Sequence, residues 1–263
     1  GRPSGRRGDP GKMENLRAIV PAARKGTRLR SKDDLPKVMH DLYGKPLLEH
    51  VLGQLSFIEP EDICIVVGYL KEKVIQYFGD CYRYAEQASQ LGTGHAVMVC
   101  EPQFRNFDGT VLVTFGDMPL FRGTVMKKMC EHHVSTGAAC TLLTAVNPDL
   151  KYWARIVRDG EGRFSRIVEA KDCTPEEARI TELFSGVLAF DSRRLFETLP
   201  KLDTNNAQHE YYLTEVPELM ARDGLKIETY MTDDGDDLRG VNTPEDMEIC
   251  RRVLEKRLAS GKA

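Results

Sequence analysis

Three short stretches of the sequence carry residue types suited to phosphate chemistry. Residues 22–28 read Ala22-Ala23-Arg24-Lys25-Gly26-Thr27-Arg28, a small-residue, glycine-containing loop that follows an apolar run. Backbone N–H groups of such a loop can approach a phosphate closely, while Arg28 and Lys25 supply positive charge. Lys37, directly after Pro36, can reach the same anion. The spacing matches neither a Walker A loop nor a G-x-G-x-x-G dinucleotide loop. Spacing alone therefore leaves a solvated basic turn as an equal alternative. The second stretch is Thr114-Phe115-Gly116-Asp117, at the end of an apolar run. A carboxylate at the carboxyl end of a parallel strand points into a ligand crevice, where Asp117 could hold a Mg²⁺ bridging phosphate oxygens. A helix cap or turn aspartate is the alternative.

The third stretch runs from Gln87 through Gln90, Gly92 and Thr93 to His95. Amide side chains beside glycines suit hydrogen bonding to a flat heterocycle, and Thr93 is expected to cap the following helix. No Ser or Cys nucleophile recruits His95, and the other histidines lack metal-ligand spacing. Glu169 and Lys171 follow a strand, where a surface ion pair is the plain reading.

These residues need a scaffold, and composition supplies one. The 263 residues are 41% hydrophobic, enough for one large domain with a real core. A net charge of −3 argues against a general nucleic-acid or membrane-surface binder. The longest apolar runs are strand-length, and no signal-peptide pattern opens the chain. Seven scattered cysteines without C-x-x-C read as reduced, mostly buried thiols of a cytoplasmic protein. Residues 1–12 read as a disordered leader, with Met13 the natural start. Residues 22–37 carry six basic residues, Arg30 and Lys32 among them, against Asp33 and Asp34.

Beyond the leader, strands are expected at 16–20, 63–67 and 110–115, alternating with helices at 46–55, 71–78, 93–100 and 124–133. That alternation predicts a Rossmann-like, doubly wound α/β sheet. Strand-rich segments at 140–145, 154–157, 165–168 and 185–190 would extend it into a second wall of a cleft. A helix at 210–222, a strand at 226–231 and a closing helix at 243–258 complete the pattern. Met247, Cys250, Leu254 and Leu258 form the closing helix's apolar stripe.

Together, and in this order, the pieces resemble the sugar-nucleotide pyrophosphorylases, above all the uridylyltransferase half of bacterial N-acetylglucosamine-1-phosphate uridylyltransferase. The resemblance covers residues 16–254. It is carried by Lys25-Gly26-Thr27-Arg28, Leu35-Pro36-Lys37-Val38, Gly44-Lys45-Pro46 and Gln90-Leu91-Gly92-Thr93-Gly94-His95. Gly116-Asp117, residues 167–172, Asn205 to Gln208 with Glu210-Tyr211-Tyr212, and Gly240-Val241-Asn242 complete it. It implies a mixed, mostly parallel sheet with a strand-rich sugar-binding lobe. Within a single nucleotidyltransferase domain, a nucleotide-binding part would span about 13–137 and a sugar-binding part about 138–242. It also implies attack of a sugar 1-phosphate oxygen on the α-phosphorus of UTP, with loss of pyrophosphate and no covalent enzyme intermediate.

By the same resemblance, Arg28 and Lys37 contact phosphates, and Asp117 and Asn242 hold Mg²⁺. Ala22, Ala23, Gly26, Thr27, Gln87, Gln90, Gly92 and Thr93 form the nucleotide site. Gly116, Ala154, Glu169, Lys171 and Phe184 form the sugar site.

Three positions depart from the family pattern: Arg24 where it has glycine, Ala154 where it has glycine, and Phe184 where it has asparagine. These changes bear on both recognition pockets. They leave open the same chemistry with another nucleoside triphosphate or sugar phosphate, and a nucleotide-sugar-binding protein without turnover. The family's bifunctional members continue into a left-handed β-helix acetyltransferase domain. No such segment follows here, so no acetyltransferase activity is expected and a trimer is not assumed.

Overall fold

The structure, a computed structural model, describes residues 13, 15–29, 34–206 and 208–261. The leader, Arg30, Lys32 and Asp33 of the basic loop, and Ala207 lie outside the described residues.

The chain opens with β1 (Leu16–Pro21), a small hairpin of β2 (Asp41–Leu42) and β3 (Lys45–Pro46), and helix α1 (Leu47–Gln54). The units β4 (Ile63–Val67)–α2 (Lys71–Phe78) and β5 (Arg83–Glu86)–α3 (Thr93–Met98) follow, then the short α4 (Glu101–Phe104), β6 (Thr110–Val113) and α5 (Gly123–Thr136). The second half contributes β7 (Cys140–Val146), β8 (Arg155–Arg158), β9 (Phe164–Val168), β10 (Glu182–Asp191), α6 (Ser192–Thr198), α7 (Val216–Arg222), β11 (Ile227–Met231) and α8 (Pro244–Ala259).

The main sheet runs β11-β7-β10-β6-β1-β4-β5, with β8 hydrogen-bonded to β10 and β9 to β8. Neighbours around β1 and the pair β11–β7 are parallel, while β10 is antiparallel to β6, β7 and β8. The expected mixed, mostly parallel doubly wound sheet is therefore present.

Alternation along β1 builds the two layers. Ala18 and Val20 pack with α1 and α5 through Leu48, Val51, Met126 and Met129, whereas Ile19 turns to the other face beside Ala96 and Val97 of α3. All five residues of β4 are buried, as a strand covered on both faces requires. β5 shows no such run because it is an edge strand with only Ala85 buried, so its sequence gives no strand signal.

The helix expected over 210–222 begins as a short turn at Leu213–Glu215 and becomes α-helical only at Val216. Residues 210–212 are instead held extended: Tyr211 N–H donates to Leu91 O at 2.8 Å and Gly94 N–H to Tyr211 O at 2.7 Å. Pro217 then takes a first-turn position, where its missing N–H costs nothing. The stripe of α8 packs through Cys250, Met247 and Leu254, but Leu258 is 49% exposed and falls outside it.

Candidate functional site

β4 and β6 flank β1 on opposite sides, so the chain reverses direction across the sheet between β1 and β6. Ligands of open α/β sheets bind outside the carboxyl ends of strands at such a point. A cleft of about 1180 Å³ lies there, lined by the loops after β1, β4, β5 and β6 and by the β8–β10 wall.

The loop after β1 is tied down by its backbone. Ala22 N–H donates to Val66 O at 2.8 Å, and Ala23 O accepts from Tyr69 N–H at 3.2 Å and Gln90 Nε2 at 2.9 Å. Gly26, with φ +73°, has Lys37 against its open face; an added Cβ would stand 2.7 Å from Lys37 Cβ. Lys37 N–H donates to Arg24 O at 3.1 Å. The loop thus aims Lys37, only 4% exposed, into the cleft. Thr27 and Arg28 occupy the turn that follows. Lys25 is turned aside, its ammonium 4.6 Å from the centre of the Tyr69 ring. Neither Gly68 nor Tyr69 was singled out from the sequence, yet a Cβ on Gly68 would stand 2.8 Å from Ala23 Cβ.

Four polar side chains converge at the floor. Lys37 Nζ donates to Asp117 Oδ2 and, at 2.8 Å, to Asn242 Oδ1, which also accepts from Arg28 Nη2 at 3.4 Å. Asp117 and Asn242 are more than a hundred positions apart, but Val241 N–H donates to Asp117 O at 2.9 Å. Thr243 and Asp246 form a capping box at the start of α8, and Asn242 N–H donates to Asp246 Oδ2 at 2.9 Å. The helix cap therefore also fixes Asn242. Two hard oxygen donors around one ammonium mark a place built for positive charge. They suit Mg²⁺, which commonly takes one or two protein oxygens and draws the rest from phosphate and water.

The loop over 87–95 is closed by its own residues. Gln87 Nε2 donates to Gly92 O at 3.0 Å and lies 3.1 Å from His95 Nδ1, so this amide shapes the loop as well as lining the cleft. Gly92 has φ +110°, and a Cβ there would stand 2.5 Å from Tyr211 O. Thr93 does not cap α3, whose N-cap is Gly92; its hydroxyl accepts from Leu213 N–H at 3.0 Å. The Glu210–Tyr212 segment is thus a brace for this loop, a pairing that sequence spacing does not reveal.

Ala154, Glu169, Lys171 and Phe184 line the opposite side. Burial raises the Glu169 carboxyl above its ordinary value, with the Lys171 ammonium opposing. Gly116 does not line the cleft: its open face meets Val38, Leu48 and Ala22, and its N–H donates to Pro21 O at 3.0 Å. It supports the floor instead. The other site residues expected from sequence all face this one cleft.

With the site defined, likeness to known proteins becomes informative. The profile of the MobA-like NTP transferase domain matches residues 18–213, and the chain belongs to that family. Over 246 residues it is 42% identical to "Bifunctional protein GlmU" of Enterococcus faecalis, covering 94% of this chain and 53% of that one. It is 40% identical over 241 residues to the protein of the same name from Geobacillus thermodenitrificans, covering 92% and 52%. The chain thus spans about half the length of the curated relatives it matches. A crystal structure of a UDP-glucose pyrophosphorylase complexed with UDP-glucose superposes with a TM-score of 0.74 over 92% of this chain and 99% of the other, at 19% identity. At that identity the likeness is one of fold.

Proposed function

We propose that this chain joins UTP to a sugar 1-phosphate, with N-acetylglucosamine 1-phosphate a working acceptor, releasing pyrophosphate and a UDP-sugar. The observation that carries this reading is the convergence of Lys37, Arg28, Asp117 and Asn242 at the switch point of the sheet. The kinship with GlmU proteins supports it. A phosphate oxygen of the sugar phosphate attacks the α-phosphorus in line as pyrophosphate departs, which requires no nucleophilic side chain. Catalysis then rests on positioning and on charge.

Lys37 and Arg28 stand where they can neutralise phosphate oxygens. Asp117 and Asn242 would hold Mg²⁺, which supplies further neutralisation of the phosphates when bound. Gln90 and the backbone of 22–26 and 92–93 would receive the base. Glu169 and Lys171 would face the sugar phosphate. Asp117→Asn is expected to weaken Mg²⁺ activation and lower turnover by about a hundredfold or more, with an unchanged circular dichroism spectrum. Wild-type Mg²⁺ dependence in that variant would remove Asp117 from the metal role.

A further inference from the structure

Where Ala154 and Phe184 line it, the β8–β10 wall of the cleft is an apolar patch, with Glu169 and Lys171 on the same side of the cleft. Phe184 and Ala154 are 6% and 8% exposed and belong to the same hydrophobic cluster as Leu188 and Ile156. They also neighbour each other through the backbone: Phe184 N–H donates to Ala154 O at 2.9 Å, which engages two polar groups otherwise available to a ligand. Beyond Phe184 the pairing of β10 with β7 slips, and Gly186, with φ +91°, packs toward Met118 and Phe115. Ser185 is 1% exposed, and its hydroxyl accepts from Val187 N–H at 3.0 Å. Among the side chains of 153–154 and 184–188, only the Trp153 indole N–H and the Ser185 hydroxyl are polar.

We infer that this wall selects a sugar 1-phosphate that turns a deoxygenated ring edge, a CH₂ or a methyl carbon, against Phe184 and Ala154. The inference rests on the proposed nucleotidyl transfer and narrows its acceptor to the deoxysugar class. A hydroxyl laid directly against the Phe184 ring and the Ala154 methyl loses water without gaining a side-chain partner from either. An acetamido group brings both an N–H and a C=O that need partners. A C–H edge loses nothing and buries apolar surface. Apolar pockets discriminate against an added hydroxyl only modestly, by up to about a hundredfold. Phe184 is thus a specificity-determining residue.

The test compares kcat/KM with UTP and Mg²⁺ for glucose 1-phosphate, its 2-, 3-, 4- and 6-deoxy analogues, and N-acetylglucosamine 1-phosphate. At least one deoxy analogue should exceed both hydroxyl-complete glucose 1-phosphate and the N-acetyl sugar by about tenfold. Phe184→Asn should abolish or reverse that preference, and Phe184→Leu, which keeps the wall apolar, should retain it. If Phe184→Asn does not fold, the wild-type panel and the leucine variant still decide. Every deoxy analogue trailing its parent, or an N-acetyl preference in wild type, overturns the selectivity while leaving nucleotidyl transfer standing. Absence of both turnover and UDP-sugar binding across the whole panel overturns the functional reading and this inference with it.

Discussion

A lysine 4% exposed, held between a carboxylate and an amide oxygen, is costly to build unless its charge is used. Lys37→Met is expected to lower kcat by about 10²- to 10³-fold, the usual loss when one charge-stabilising donor is removed. Steady-state kinetics at saturating UTP check it. Arg24 is a different case. It lines the cleft and is exposed, and its guanidinium makes no ion pair or hydrogen bond among the described residues. An exposed guanidinium in the loop that carries Arg28, lining the same cleft, is placed to meet a phosphate rather than to block a base, so Arg24→Gly should raise the KM for UTP severalfold. A lower KM would mean that the side chain crowds the nucleotide. By residue type and spacing alone, the loop cations read equally well as a solvated turn and Asp117 as a cap; the order of motifs shared with the pyrophosphorylases singled them out and added Asn242. What spacing could not reveal was that Lys37 would sit between Asp117 and Asn242.

Elements carry the geometry. The capping box at Thr243 satisfies the first turn of α8 and fixes the backbone N–H of Asn242 through Asp246. Thr243→Ala should therefore cost about 1 kcal/mol of stability and raise the Mg²⁺ concentration needed for half-maximal activity. The far end of α8 is held by a buried network. Asp237, fully buried, accepts from Arg122 Nε at 2.9 Å, Arg257 Nη2 at 2.8 Å and Thr232 Oγ1 at 2.6 Å. Removing the shared, fully buried carboxylate leaves Arg122 with the exposed Asp233 and Arg257 with Asp234 as their remaining acidic partners, and Asp237→Ala should destabilise by about 3 kcal/mol in urea unfolding. Sequence periodicity showed α8 but not its anchors, which come from separate elements and share no local pattern. The same limit explains α7, where the brace on residues 91–94 overrides helical propensity over 210–212. It also explains β5, whose exposed edge leaves no alternation to detect.

At the scale of the whole molecule, the strand–helix alternation made the doubly wound sheet legible, since parallel strands need covered faces; the strand order, which places the switch point between β4 and β6, is set by long-range pairing that no local pattern records. No helix among the described residues is long and apolar enough to cross a membrane. Packing also sets how stability responds to acid. His133 on α5 is 3% exposed, lies 2.9 Å from Thr141 Oγ1, and has its imidazole pushed down to about 4 by burial. Between pH 6.5 and 4 the unfolded chain binds a proton that the folded chain refuses, so stability falls as pH falls through that window. The loss should approach about 3 kcal/mol, and His133→Gln should remove that portion of the slope in pH-dependent urea titrations. The central claim is that the cleft performs nucleotidyl transfer from charge and position alone. Its most direct test is pyrophosphate release from UTP with a panel of sugar 1-phosphates, N-acetylglucosamine 1-phosphate and the deoxy analogues among them, with Mg²⁺ and with a chelator. Release that requires both substrates and the metal, and that falls away in Lys37→Met, is the expected result; no release from UTP with any sugar phosphate would contradict it.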